Sequence, residues 1–350
     1  MKRTIIYVIL CCALFISACS TDLNVIGDYK ETLIVYGLLD QGQDTQYVKI
    51  NKAFLGAGNA YEYAMMKDSA QFKNALDVKI KCVNSGISYV LTPANYIPKD
   101  PGLFYSTEQT NVIYKLVTDG SVGHPKLDPN SLYELKVTDG ETGVSVSSKT
   151  LVLPDITAFS KPAPSLTSFS FVITGYYPNY KFKVEWLSAK NAREYQVIIR
   201  LNYSDSTITN GNIPQVLDYQ LPESRTAGLS GGESFLKEFN ASDFYKFIGS
   251  SLADYSGLLG RKAGKVDVLL VSAADDLVTF IDVNKPSTGI IQERPEFTNI
   301  VGGLGIFSSR YNRPPFSRPL DNTSLDSLSG GQYTCKLRFS DHFGVWTGCH

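Results

Sequence analysis

Histidine and cysteine side chains near the C-terminus are the residues whose types could first support metal or nucleophilic chemistry. Cys335, His342, Cys349 and His350 lie within sixteen positions of one another. Their spacing matches no familiar zinc template, in which cysteine pairs and histidine pairs follow short fixed intervals. Cys335 and Cys349 flank the last predicted turn, so they could instead pair as a disulfide, or all thiols could stay reduced. We therefore predict no metal site and no cofactor.

Hydrolytic chemistry has no recognisable signature either. The chain contains three histidines, and neither a G-x-S-x-G elbow nor an H-E-x-x-H motif occurs. Paired carboxylates for glycoside hydrolysis cannot be recognised, because the distance that defines them is spatial. Asp275 and Asp276 are better suited to capping a helix than to binding calcium. We predict a non-enzymatic protein, with a hydrolase of unfamiliar site as one alternative.

A cationic, aromatic and proline-rich stretch is the strongest candidate for recognition. Residues 308–330 contain five side chains suited to binding an anionic ligand or a protein partner: Arg310, Tyr311, Arg313, Phe316 and Arg318. The alternative is a rigid, solvated loop. Residues 204–235, rich in Ser, Thr, Asn and Gly, form a second candidate loop. Tyr176 and Tyr177 could stack on sugars, so a free-standing carbohydrate-binding protein is a further alternative.

The N-terminal segment determines the expected compartment. Lys2 and Arg3 precede an apolar run at 5–16, which is too short to span a bilayer and suits a secretion signal. Ile16-Ser17-Ala18-Cys19 resembles a bacterial lipobox, and this resemblance implies cleavage before Cys19 and lipidation of its thiol. The alternative is an ordinary signal peptide with an incidental cysteine. Ser20 is compatible with transfer to the outer membrane.

Composition indicates β-structure and excludes nucleic acid as a partner. The 350 residues include 33 basic and 34 acidic side chains, 21 tyrosines and 18 phenylalanines. No basic patch is present to neutralise phosphates. Tyrosine and phenylalanine are plentiful, Gly, Ser, Thr and Val are common, and long runs of strong helix formers are missing. The length predicts about two domains.

Alternating apolar positions predict strands along most of the chain. In 75–83, Leu76, Val78, Ile80 and Cys82 share one face. Seven such runs with turn signals indicate an immunoglobulin-like sandwich at 31–155. After a proline-rich break, 165–350 resembles a fibronectin type III-like sandwich with an insertion. We place a signal peptide at 1–18 and a lipid anchor and tether at 19–30.

Several segments of the second domain have individual predictions. Residues 167–173, 265–274 and 332–340 are predicted strands, and 180–203 is predicted as two strands joined by a polar turn. One or two short helices are expected, the first of them capped by Asn240 or Ser242. The three glycines in 299–307 allow close backbone approach, which indicates a bulged strand sealing the core of this domain. A nucleotide-binding loop is disfavoured there because neither a following helix nor a lysine is present.

Three features together point to a family. The lipobox, the segment LYELKVTDGETGVSVSSKTLVLP (132–154) and the segment ERPEFTNIVGGLGIFSSR (293–310) resemble an uncharacterised family of Bacteroidetes outer-membrane lipoproteins, a domain of unknown function. Members are often encoded beside TonB-dependent receptors. The resemblance implies a lipid-anchored accessory or ligand-binding partner of such a transporter, on the periplasmic or extracellular face of the outer membrane.

The same resemblance draws attention to a short modification motif. Asp-Ser followed by Ala, Thr or Leu resembles the O-glycosylation sequon of exported proteins in that bacterial group, and it places candidate sites at Ser69, Ser206 and Ser327. Glycosyl transfer to a folded protein requires that each of these serines be exposed.

Overall fold

The structure is a computed structural model, and it describes seven stretches of the chain. These are residues 32–53, 72, 74–94, 113–156, 159–172, 180–285 and 296–349. The predicted signal peptide, Cys19, the tether, Ser69, Tyr176, Tyr177 and His350 lie outside the described residues.

The first half of the chain contains eight strands. They are β1 Leu33–Leu39, β2 Thr45–Lys52, β3 Asp77–Cys82, β4 Ser88–Val90, β5 Thr92–Pro93, β6 Ile113–Val117, β7 Leu132–Thr138 and β8 Ser145–Leu151. Most of them alternate buried and exposed residues, as the period-two pattern of their sequences requires.

The second half adds eight strands and three helices. The strands are β9 Lys181–Leu187, β10 Ala192–Thr207, β11 Gly211–Gln220, β12 Ser224–Arg225, β13 Ser234–Asn240, β14 Leu258–Ala274, β15 Leu304–Asn312 and β16 Phe316–Pro319. The helices are α1 Ala241–Ser251, α2 Asp275–Asn284 and α3 Asn322–Gly330, followed by a short 3-10 helix at Cys335–Leu337. The described chain is thus mostly strand, which confirms the all-β prediction. In the described part, no helix is long and apolar enough to cross a bilayer.

One long sheet runs through both halves. Its strand order is β11-β10-β14-β15-β1-β2-β6-β5, with β12 paired to β10 and β16 paired to β14. Two smaller sheets, β4-β3-β7-β8 and β13-β9, lie against it. The buried apolar side chains form two clusters: the first takes residues from Leu33 to Val152, together with Ile300 and Phe307, and the second takes other residues between Leu153 and Phe339.

The first cluster is a sandwich core. Val35 of β1 and Val48 of β2 point inward from the long sheet, and Ile80 of β3 and Leu135 of β7 point inward from the small one. Each of these side chains is at most 1 % exposed. Alternation along each strand is therefore enough to assign the inward face.

The second cluster is rich in aromatic residues. Trp186 of β9 packs against Tyr195 of β10, with ring centroids 5.7 Å apart, and Phe244 of α1 packs against Phe239 of β13. The buried positions of α1 are Ala241, Phe244, Tyr245 and Ile248, spaced as one helix face. Asn240 occupies the N-cap position, as predicted, although its side chain contacts the Asp243 carboxylate at 3.2 Å instead of a backbone N–H.

The glycine-bearing segment 299–307 seals the first core, so its predicted place in the second core is wrong. Strand β15 pairs in parallel with β1, from Ile34 opposite Leu304 to Leu39 opposite Ser309. Ile300 and Phe307 belong to the first cluster. The chain therefore returns from the second half to complete the first. Pairing between segments distant in the sequence decided this placement, and such pairing cannot be predicted from local periodicity.

Other segments of the second half also differ from their predictions. Residues 332–340 form turns and a 3-10 helix instead of a strand, because Arg338 has a left-handed φ of 61° that reverses the chain. Residues 167–172 make a single bridge, between Phe169 and Leu320, because the Phe171 N–H donates to Ser324 Oγ. The described part holds three α-helices where one or two were expected.

Candidate functional site

A groove of about 530 Å³ lies where the two halves of the chain meet. The first half contributes the outer faces of β1, β2 and β6, and the second half contributes α2 and β15. We call it the seam groove. Its lining residues are Tyr36, Gly37, Leu38, Asp40, Gln43, Thr45, Gln46, Tyr47, Lys49, Ile113, Leu277, Phe280, Ile281, Ile306 and Arg310. A groove of this size matches small-ligand sites, which usually measure 300–1,000 Å³.

Strand pairing places the aromatic residues of the groove. Tyr36 lies opposite Lys49 in the β1–β2 ladder, so both side chains share the outer face with Tyr47. Tyr36 is 41 % exposed and Tyr47 is 43 % exposed. In the described part of the chain, no layer fully covers these two tyrosines on the outer face of the sheet. Their rings therefore leave apolar surface open to a ligand.

Helix α2 forms the other wall. Leu277 and Val278 are buried, which fixes the helix against the sheet. The next turn then brings Phe280 to Tyr36, with ring centroids 6.3 Å apart in a T-shaped contact. Ile281 remains 39 % exposed beside it.

The polar end of the groove is organised by Asp40, which follows β1. Its carboxylate is 2 % exposed and accepts hydrogen bonds from the Gly42 N–H at 2.9 Å and from Asn312 Nδ2 at 2.7 Å. Burial raises the pKa of this carboxyl above its ordinary value, although these hydrogen bonds and nearby Arg310 act to lower it. Asp40 therefore ties β1 to β15 at the groove.

Arg310 lies at the same end, and its guanidinium makes no hydrogen bond to any described residue. Its Nε is 3.9 Å from Asp40 Oδ2, beyond hydrogen-bonding distance, and the side chain is 46 % exposed. Arg310 was predicted as a ligand residue from its sequence context. The structure places it in the groove, whereas the other four residues of that prediction do not line the groove.

The other members of the predicted recognition loop serve the fold. Tyr311 is 5 % exposed, and burial together with Asp155 raises its pKa. Arg313 lies over the ring of Phe159 at 4.4 Å. The Tyr311 side chain is therefore too covered to recognise a ligand as predicted, whereas the half-buried Arg313 lies outside the seam groove.

Phe316 and Arg318 lie in β16, which pairs with β14. Arg318 stacks on Phe316 at 4.3 Å and donates hydrogen bonds to the carbonyls of Pro164, Leu166 and Ser317. Most of the predicted loop at 308–330 is thus regular structure: the end of β15, all of β16 and α3, with residues 313–315 between the two strands. Sequence reasoning mistook it because prolines and arginines are common in loops, and the strand register was not visible.

The C-terminal cysteines are bonded to each other. The Cys335–Cys349 disulfide links residues 14 positions apart, as the predicted pairing allowed. Their thiolates are therefore not available to a metal. His342 Nδ1 lies 2.5 Å from Asp326 Oδ1 instead. Within the described ranges, no group of three or more His, Cys, Asp or Glu side chains could hold a metal ion.

The two acidic residues at the start of α2 do not cap it. Ala274 occupies the N-cap position, and Asp275 and Asp276 fall in the first turn. Asp275 pairs with Arg193 Nε at 2.5 Å, and Asp276 accepts a hydrogen bond from Asn299 Nδ2 at 2.8 Å. Both carboxylates still favour the helix through its dipole.

Two of the predicted glycosylation serines lie in described elements. Ser206 is half-buried near the end of β10. Ser327 is 2 % exposed within α3, so the exposure that glycosyl transfer requires is missing there. The prediction for Ser327 is therefore wrong, because the helix turns this serine into the core.

Sequence reasoning missed Tyr36, Tyr47, Lys49 and Phe280 as site residues. A signal for two of them was present. Tyr47 and Lys49 flank the buried Val48 in β2, so alternation places both side chains on the outer face of the strand. Tyr36 was hidden in the apolar run of β1, and the β-branched residues around Phe280 obscure the helical pattern of α2.

Comparisons with known proteins add little to this description. A scan against models of protein families gives no match, and a search of curated proteins gives none. Among solved structures, the chain is similar to the C-terminal globular domain of an oligosaccharyltransferase from Pyrococcus abyssi. That similarity has 8 % identity and a TM-score of 0.26, and it covers 70 % of this chain and 47 % of the other. At this score it supports no statement about function.

Proposed function

We propose that this protein is a lipid-anchored outer-membrane lipoprotein that binds a TonB-dependent transporter, or a ligand for it, through the seam groove. The observation that carries the binding role is the groove itself. Exposed Tyr36 and Tyr47, the α2 wall and Arg310, whose guanidinium makes no hydrogen bond to a described residue, form an accessible recognition surface. The anchor and the transporter rest on the N-terminal lipobox and on the family resemblance.

The chemistry of the groove favours binding over catalysis. Asp40 is the acidic residue of its described lining, and that carboxylate is covered and hydrogen-bonded. The lining includes no histidine, cysteine or serine that could act as nucleophile or base. The hydrolase alternative therefore has no support in this groove. The Cys335–Cys349 disulfide suits an extracytoplasmic location.

A pull-down from the native outer membrane tests this proposal. The tagged, lipidated protein is isolated in mild detergent, and co-purifying proteins are identified and quantified by mass spectrometry. We expect a stoichiometric TonB-dependent receptor. The double variant Tyr47→Ala, Arg310→Gln should reduce its recovery at least about tenfold, because aromatic and arginine side chains contribute most to such interfaces.

A matched variant on the opposite sheet controls for general surface changes. Val90 is 60 % exposed and lies opposite the exposed Lys79 in the β3–β4 pair. The double change Val90→Ala, Lys79→Gln should leave receptor recovery unchanged. Isolation of the protein alone, in detergent that preserves a known receptor complex, would contradict the proposal.

Carbohydrate binding is the second candidate, and the exposed Tyr36 and Tyr47 favour it. Both rings project from the outer face of the long sheet, where sugar rings could stack on them. A glycan screen with the purified protein should then show saturable binding that Tyr47→Ala abolishes. Absence of any glycan signal would contradict carbohydrate binding, and the transporter proposal would then remain for the groove.

A further inference from the structure

The ligand chemistry of the seam groove can be narrowed from its charges. Arg310 and Lys49 are the cationic side chains of the lining, and Asp40 is the anionic one. In the described part of the chain, Lys49 takes part in no ion pair, and Arg310 approaches a carboxylate only at 3.9 Å. The carboxylate of Asp40 is 2 % exposed. Two accessible cations therefore face the groove against one covered anion.

The guanidinium of Arg310 differs from the other arginines nearby. Arg318 satisfies its donors with three backbone carbonyls, and Arg200 forms a two-bond pair with Asp218 at 2.7 and 2.8 Å. Arg310 offers a planar fork of donors with no acceptor among the described residues. Such a fork matches the two oxygens of a carboxylate.

The remainder of the lining is apolar. The Tyr36–Phe280 contact, Leu277, Ile281 and Ile306 form a floor next to this cationic end. A ligand that fits both parts needs an apolar or aromatic group and one carboxylate. The groove volume of about 530 Å³ limits it to a small molecule or a few residues.

We infer that the seam groove binds a small apolar carboxylate, held by Arg310 at one end and by the Tyr36–Phe280 floor, with Lys49 beside it, at the other. This inference rests on the proposed function, since it names the ligand chemistry of the same groove. The carboxylate lies at the guanidinium, and the apolar group covers the rings of the floor.

Calorimetry with two matched probes tests the inference. The purified lipidated protein in detergent is titrated with N-acetyl-phenylalanine and with N-acetyl-phenylalanine amide, which differ only in charge. We expect the carboxylate to bind about tenfold more tightly, as one charge-assisted contact implies. High salt should weaken the carboxylate more than the amide, because it screens exposed charges.

Variants assign the two parts of the site. Arg310→Gln should reduce the carboxylate to the affinity of the amide, and Lys49→Gln should reduce it part of the way. Tyr47→Ala should weaken both probes alike. Arg313→Gln is the matched control, since this arginine lies over Phe159 outside the groove, and it should change neither affinity. Thermal melts confirm that each variant is folded.

The outcomes separate this inference from the proposal on which it rests. Equal affinities for the two probes, or a carboxylate affinity unaffected by both Arg310→Gln and Lys49→Gln, would overturn the inference. The same holds if neither probe binds to the unmodified protein. Loss of the receptor from the Tyr47→Ala, Arg310→Gln pull-down would still support the binding role in each of these cases.

Discussion

A Cβ atom on Gly305 would lie 2.0 Å from the carbonyl oxygen of Val35, its neighbour in the parallel pairing of β15 with β1. Gly305 also has a φ of 106°, which side-chain-bearing residues rarely adopt. A Cβ atom added to Gly303 would likewise lie 2.6 Å from the carbonyl oxygen of Leu33. These two glycines allow the second half of the chain to join the first.

The first prediction follows from this contact. Gly305→Ala should lower the free energy of unfolding by more than about 2 kcal/mol, because a strained φ and a backbone clash act together. Chemical denaturation measures the change. Gly140→Ala is the control, since no atom lies within 4 Å of its Cβ position. Equal stability of the two variants would show that the close approach does not exist.

The second prediction concerns a buried ion pair at the far end of β10 and β14. Arg261 Nε lies 2.9 Å from Asp205 Oδ1, and the two side chains are 3 % and 8 % exposed. Arg261→Ala should cost about 3–5 kcal/mol, because it leaves a buried carboxylate without its partner. Replacement of both residues by leucine should cost less than Arg261→Ala alone.

An exposed pair provides the comparison for that measurement. At the surface, Lys79 Nζ lies 2.6 Å from Asp77 Oδ2, and both side chains are about half exposed. Lys79→Ala should change stability by no more than about 1 kcal/mol. A similar cost for Lys79→Ala and Arg261→Ala would contradict the role assigned to burial.

The third prediction is a loss of stability at alkaline pH. Burial raises the pKa of Tyr195 from its ordinary value of 10.0 to about 12, and it also raises the pKa of Tyr133 and Tyr311. The pKa of each tyrosine is higher in the folded chain than in the unfolded chain. The contribution of the neutral, buried tyrosines to stability is therefore fully present below about pH 10 and is lost as pH rises towards 12.

Phenolate absorbance measures this effect. At about pH 11, the folded protein should show less phenolate than the same chain in denaturant, and further alkali should unfold it cooperatively. Identical titration curves for the folded and denatured chains would contradict the burial of these tyrosines.

The fourth prediction concerns the disulfide. The Cys335–Cys349 bond closes a short loop, since the two cysteines are 14 positions apart in the sequence. A bond of this span should stabilise the fold by up to about 3 kcal/mol by restricting the unfolded chain. The double variant Cys335→Ser, Cys349→Ser should lose that stability, and a reductant should then have no further effect. A reductant that leaves the unmodified protein unchanged would contradict a structural role for the bond.

Local pattern was a good guide wherever one element buries one face. The alternation of β3 and β7, the Phe182–Trp186 face of β9 and the helix after Asn240 were all predictable from residue spacing. The predictions failed where a backbone or side-chain group forms a hydrogen bond with a residue distant in the sequence. The Phe171 N–H bonds to Ser324, and the Arg318 guanidinium bonds to carbonyls of 164–166, so neither segment follows its local propensity.

The sequence by itself determined the mostly-β character, the positions of most strands and the N-terminal features that predict an anchor. Only the tertiary structure decided which core receives Phe307, and that α2 covers the sheet beside Tyr36. Periodicity specifies the buried face of a strand, but it does not specify the strand's partner. The seam groove joins residues up to 274 positions apart, from Tyr36 to Arg310, and packing between distant segments created it.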